Sequence, residues 1–241
     1  MQMNKGFLKG QHVTILGLGP SVDAYTNHVK KLGGASAYCD EVWAVNALGN
    51  VFQCDRVFHM DDIRVQEARA ADRPDSNVAA MVEWLKVHPG PVVTSFADPR
   101  FPGLVAFPLA DVVRDTGHFY FNSTVAYAMA LAVWGQAQQV SLFGCDYTYA
   151  NSHLAERGRA CLEYWIALGK AQGMHIALPD HTSLLDACEG LQGVFYGYDG
   201  FTVSVGRDDD GYSVGLEPCD LPSAKDIEAR YDHSKHPNSL A

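Results

Sequence analysis

No run of apolar residues approaches the roughly 20 needed to span a bilayer, and the opening stretch MQMNKGFLKGQHV carries no long apolar segment of the secretory kind. Both absences predict a cytoplasmic protein with no membrane span. Clusters of lysine and arginine are also missing, and the formal net charge of −10 opposes a nucleic-acid backbone. Strong binding to duplex DNA or RNA is therefore disfavoured. No Cys-x-x-Cys pair and no zinc-ligand spacing joins Cys39, Cys54, Cys145, Cys161, Cys188 and Cys219, which read as buried reduced thiols. The chain has no internal repeat and no low-complexity tract. What it does have is apolar material: 47% hydrophobic against 19% charged residues places it among globular chains, and 241 residues can bury one sizeable core.

The first strong element is the β-branched run His12-Val13-Thr14-Ile15-Leu16, which ends in Gly17-Leu18-Gly19-Pro20-Ser21 and reads as strand, tight turn and helix. Further strands are expected at 41–46, 56–60, 91–95, 139–143 and 175–178, with helices at 22–32, 75–88, 124–134 and 154–172. The proline-rich stretch 99–108 reads as an irregular loop. Strands alternating with helices predict an α/β, Rossmann-like, three-layer domain with a mostly parallel sheet over residues 1–190. Residues 191–241 form an extension, in which two alternating segments flank Asp208-Asp209-Asp210-Gly211 as a β-hairpin before a polar tail.

Ligands of open parallel sheets bind outside the carboxyl ends of the strands, and the polar residues of this chain gather there. Gly17, Gly19, Pro20 and Ser21 suggest an anion cradle of free amides at a helix start, against the alternative of an ordinary strand-to-helix turn. The third glycine of the dinucleotide fingerprint is missing, since Asp23 and Ala24 occupy that region. On the cradle reading, Gly19→Val removes nucleotide binding and spares the fold. Asn46 follows the second strand and Asp61 and Asp62 the third. Asp146 follows a later strand, and Asn122-Ser123-Thr124 opens the small-residue helix. The acids suit a magnesium ion or a sugar hydroxyl, and equally suit helix capping. His153, Glu156, Arg157 and Arg159 offer a general base and phosphate-binding cations, or merely a solvated first turn. His181 is a second candidate base, His59 reads as a satisfied core histidine, and Phe195-Tyr196-Gly197-Tyr198 as packing.

The glycine-proline-serine turn, Asn46, the Asp55–Asp62 segment and the stretch from Asn122 to Tyr147 together resemble two related groups. One is the 6-hydroxymethylpterin diphosphokinase-like family, found also in phage and flagellar-glycosylation proteins. The other is the bacterial CMP-sialic-acid sialyltransferases of glycosyltransferase family 42. The resemblance covers about residues 12 to 186. The sialyltransferase likeness implies Gly17, Gly19, Pro20, Ser21, Asn46, Asn122, Ser123 and Thr124 around a nucleotide. A histidine base of that family falls in the region of His153, Glu156 and Arg159. The diphosphokinase likeness implies magnesium and a triphosphate at Asp61, Asp62 and Asp146.

The combined expectation is a phage or bacterial transferase with a nucleotide or nucleotide-sugar donor as its small-molecule partner. Gly17–Ser21 and Asn122–Thr124 hold phosphates, Asn46 and Asp61 read ribose or base, and His153 or Glu156 activates an acceptor hydroxyl. A magnesium-dependent pyrophosphokinase with metal on Asp62 and Asp146 is one alternative, and a non-catalytic nucleotide-binding module another. Self-association into a homo-oligomer is compatible with all three.

Overall fold

The computed structural model describes residues 3–148, 151–189, 195–208 and 211–230. Seven strands make one sheet: β1 (His12–Leu16), β2 (Glu41–Val45), β3 (Arg56–Phe58), β4 (Val92–Thr94), β5 (Leu104–Ala106), β6 (Gln139–Phe143) and β7 (His175–Ala177). Their order is β5-β4-β3-β2-β1-β6-β7, and every pairing is parallel. Parallel strands need crossovers, and six helices provide the layers on either face: α1 (Val22–Leu32), α2 (Ile63–Asp72), α3 (Asn77–Val87), α4 (Leu109–Thr116), α5 (Thr124–Gly135) and α6 (Ser152–Ala171).

Side-chain alternation along the strands decides which helix covers which face. Val13, Ile15, Trp43, Val45, Phe58 and Val93 point into a core shared with α4, α5 and α6. Their sequence neighbours Val42 and Ala44 point the other way, towards Tyr25 of α1, while Val57 and Val92 meet Val82 and Leu85 of α3. Between Val125 and Gly135 only Tyr127 of α5 escapes full burial. Its many alanines let that helix lie close against the sheet.

Three elements depart from the expected pattern. Residues 99–108 are not wholly irregular, because β5 pairs with β4 at the sheet's edge. Its three residues are too short to show a period. Asp61 and Asp62 do not simply close a strand: Asp62 caps α2, accepting from the Arg64 amide at 2.9 Å. Helix α4 was likewise unanticipated. The hairpin is present, longer than its sequence signal, as β8 (Phe201–Asp208) and β9 (Gly211–Pro218), and the tail carries a short helix, α7 (Ala224–Arg230).

β1 has β2 on one side and β6 on the other, so the strand order reverses there, and the turn after β1 meets the end of β6 at very close range. Gly17 N–H donates to Phe143 O and Gly19 N–H to Gly144 O, both at 2.7 Å. A Cβ on Gly17 would stand 2.3 Å from Gly144 O, and one on Gly144 would stand 2.0 Å from Gly17 O. Gly144 also has φ 67, a conformation that favours glycine. The Ser21 amide and hydroxyl donate to the two carboxylate oxygens of Asp146 at 2.7 and 2.6 Å, and the Ser21 hydroxyl oxygen accepts from Gly144 N–H at 2.7 Å.

These bonds correct the cradle expectation, because the amides of Gly17, Gly19 and Ser21 all have acceptors within the protein. They also reverse the reading of Gly19→Val. A Cβ at Gly19 would lie 2.5 Å from Asp146 Oδ2, so any side chain there disturbs the fold itself. Asp146→Ala, which strips a buried acceptor from two donors, is expected to cost about 3 kcal/mol, with Ser21→Ala costing about 2 kcal/mol. Overpacking makes Gly19→Ala cost about 1–3 kcal/mol. Urea denaturation of the three variants measures these losses, and an Asp146→Ala protein as stable as the parent would show that this junction does not hold β1 to β6.

Candidate functional site

Above the β1–β6 junction, at the carboxyl end of the sheet, lies a cleft of about 610 Å³. This is where ligands of such sheets dock, because strand ends, loops and helix starts converge there. A larger hollow of about 760 Å³, lined by Lys5, Gly10, Gln138 and Gly173, lies at the opposite, amino-terminal end, where no helix start opens into it. The carboxyl-end cleft has the better chemistry. Its walls come from Gly17, Leu18, Gly19 and Pro20 after β1, from Val45 of β2 and Asn46 just after it, and from Asn122 to Val125 at the start of α5. Gly144, Cys145, Tyr147 and Thr148 after β6 complete it with Leu154 of α6. Seven residues singled out by sequence, Gly17, Gly19, Pro20, Asn46, Asn122, Ser123 and Thr124, are thereby brought together.

The remaining candidates have other surroundings. Ser21 and Asp146 are buried under the floor, bonded to one another. Asp61 is exposed and lines no part of the cleft. Asp62 pairs with Arg64, whose side chain and amide hold its carboxyl down at about 2. Arg159 is tied to Glu163 and Asp186 across the outer side of α6. His153 and Glu156 are exposed in the first turns of the same helix, flanking Leu154 at the mouth of the cleft. His181 is exposed beyond β7.

Two helix starts face this region, and their electrostatics differ. The end of α1 is neutralised by the Asp146 carboxylate and carries Asp23 in its first turn. The end of α5 has no acid in its first turn. Ser123 caps it through Ala126 N–H, and among the described residues the Thr124 and Val125 amides have no acceptor. Arg157 adds a guanidinium at the same place, 3.4 Å from the Asn122 side-chain oxygen. Leu18 supplies the one amide of the glycine turn that has no protein acceptor among the described residues. The positive end of the cleft is therefore α5, with the glycine turn as its opposite wall.

Sequence reading missed Tyr147, which has φ 50 and is buried with its hydroxyl 3.0 Å from the Ser123 Oγ. Its ring packs against Gly158, where a Cβ would stand 2.3 Å from the ring edge. A tyrosine directly after Gly-Cys-Asp gives no local hint of this contact. Burial pushes the Cys145 thiol up, so it stays protonated in the wall. His59 is buried as expected but only half satisfied: Nδ1 meets Asn46 Oδ1 at 3.1 Å, while Nε2 has no partner among the described residues. With Nδ1–H donating to that oxygen, the Asn46 NH2 group is left to face other acceptors. Asn46 itself has φ 53, which asparagine tolerates better than most residues.

The donor set does not fit magnesium. Asp62 and Asp146 are bonded to other groups, Asp61 lies outside the cleft, no carboxylate lines it, and no cluster of three histidine, cysteine or acidic residues occurs among the described residues.

Burial lowers the His59 pKa below the ordinary value of 6.5, with Asp61 opposing weakly, and burial lowers His12 and His88 too. The unfolded chain therefore binds these protons first, and stability falls as pH drops from about 6.5 towards the folded values. Denaturant titrations at about pH 7.5 and 5.5 are expected to show that loss, and a smaller one in His59→Gln. An equal loss in the variant would separate His59 from the effect. Compared with known proteins, the chain matches no family model and no curated relative.

Proposed function

We propose that the protein is a transferase that binds a nucleotide or nucleotide sugar in this cleft and passes the glycosyl group to an acceptor hydroxyl. The observation that carries the reading is the α5 start: two open amides, a serine cap and Arg157 meet Asn46 and Asn122 at the point where strand order reverses. The Thr124 and Val125 amides, with the Leu18 amide opposite, hold the donor phosphate. Asn46 and Asn122 offer side-chain amides to ribose or base.

Displacement at the sugar carbon forms the bond to the acceptor oxygen and breaks the bond to the donor phosphate, which leaves with the negative charge. That charge develops beside the α5 amides and Arg157, so the same groups that bind the donor stabilise its departure. His153 or Glu156, exposed at the mouth, takes the acceptor proton. A cleft without carboxylate walls favours this metal-free course over diphosphate transfer with magnesium.

Thr124 is the first residue of α5 and follows Ser123 in an extended conformation, so proline fits there and deletes only the amide donor and the hydroxyl. Thr124→Pro is expected to keep the parent's melting temperature and to weaken nucleotide binding at least 10-fold, about 1.4 kcal/mol. Thr124→Val, which keeps the amide, binds within about 3-fold of the parent. Calorimetric titration with CMP, UDP, GDP, ATP and their sugar conjugates, with and without magnesium, supplies the affinities. Binding of a cytidine or uridine donor without metal is the expected result. A folded Thr124→Pro protein with parental affinity would overturn the phosphate assignment, and AMP release from magnesium-ATP and an alcohol would replace glycosyl with diphosphate transfer. Binding without turnover on any acceptor would reduce the protein to a nucleotide-binding module.

A further inference from the structure

The β8–β9 ribbon has two unlike faces. Cross-strand partners share a face, and successive residues alternate. On one side stand the pairs Val203↔Leu216, Val205↔Val214 and Arg207↔Tyr212, and on the other Thr202↔Glu217, Ser204↔Gly215 and Gly206↔Ser213. The apolar side is open to solvent: Val205 is 55%, Val214 63% and Tyr212 74% exposed. Beyond its base, the Phe195 to Tyr198 stretch, expected to be packing, is exposed as well, and the Tyr198 ring lies 6.3 Å from that of Phe201. A two-stranded ribbon with a bare apolar face is at best marginally stable in water, and something has to cover it.

We infer that the apolar face of the ribbon is a self-association surface, covered by the same face of a second copy of this chain. The main sheet is sheathed by helices on both sides, which leaves the ribbon as the bare sheet face among the described residues. A second ribbon matches it in length, period and polarity, and two of them stacked face to face make a four-stranded sandwich.

Charge permits the stacking despite a net of −10. Glu217 stands on the polar face, and the one charge on the apolar face among the described side chains, Arg207, lies over its own Tyr212 ring at 5.2 Å. The area is also adequate. Six exposed large side chains of the face and its base, Tyr198, Phe201, Val205, Tyr212, Val214 and Leu216, at on the order of 100 Å² each give two copies together roughly 1,200 Å², the lower end of a standard stable interface. None of this rests on the nucleotide cleft, so the two readings stand or fall separately.

Sedimentation velocity of the full chain between about 1 and 100 μM is expected to show a monomer–dimer equilibrium. Val205→Glu with Val214→Lys places an ion pair across the strands, which keeps the ribbon paired and removes its apolar face. That variant is expected to stay monomeric, with parental hydrogen exchange across β8 and β9 showing that the ribbon persists. Val205→Thr with Val214→Thr, which keeps the β-branched shape, is expected to weaken the dimer at least 10-fold. In a Cys219→Ser background, Val205→Cys is expected to cross-link copies on mild oxidation, and Ser204→Cys on the opposite face is not. A chain monomeric throughout would overturn the inference and leave the face to a different protein. A dimer that survives the ion-pair variant, or equal cross-linking from the two faces, would overturn it as well.

Discussion

Asp146 is 1% exposed, and its two carboxylate oxygens are bound by a single residue, Ser21, through amide and hydroxyl. A buried carboxylate without donors would be costly, and a buried helix start without acceptors would be costly too. Each removes the other's penalty, and in doing so the pair fixes the end of β6 against the start of α1. Gly17, Gly19 and Gly144 are what make the contact possible, since their backbones meet at distances that leave no room for a Cβ. The floor of the cleft is thus a hydrogen-bonded crossing of two strand ends.

Because the α1 start is closed from below, the open helix-start amides of the rim are those of α5. Ser123 connects the two sides: it caps α5, and its hydroxyl touches Tyr147, which follows Asp146 directly. Tyr147 in turn leans on Gly158 of α6, and the Ser183 hydroxyl donates to Asp146 O at 2.5 Å. The loop after β6 is therefore held from α1, α5, α6 and the segment after β7. A wall fixed from four directions changes little when a ligand arrives, and pre-organisation of this kind lowers the cost of binding.

The strands were legible because buried parallel strands are short β-branched runs, and β1, β2 and β6 stand out between glycines and polar residues. β5 was not, because three residues flanked by prolines have no period to read. The gathering of Asn46 with Asn122 to Thr124 followed from one general rule about strand ends. The role of the glycine turn did not. Gly17 to Ser21 has the composition of a phosphate loop, and what distinguishes it from one is a carboxylate 125 residues away in sequence. The pairing of His59 with Asn46 was equally hidden, since neither residue signals a partner 13 positions off. Local chemistry names the residues of a rim, whereas long-range bonds decide which of their donors remain open.

For an acidic chain to hold an anion, as the proposed function requires, local field has to prevail over net charge. Remote surface carboxylates act through water and are screened beyond about 8–10 Å at physiological salt. The dipole of α5 is not screened in that way, because nearly the whole helix is buried between the sheet and its neighbours. Its positive end emerges only at Thr124 and Val125, so the field is delivered where the cleft opens and nowhere else along the helix. An exposed helix such as α1 loses part of its dipole to solvent along its length, and here it is further neutralised at its start. Burial of α5 therefore stabilises the core and, by the same packing, makes this helix start the more electropositive of the two.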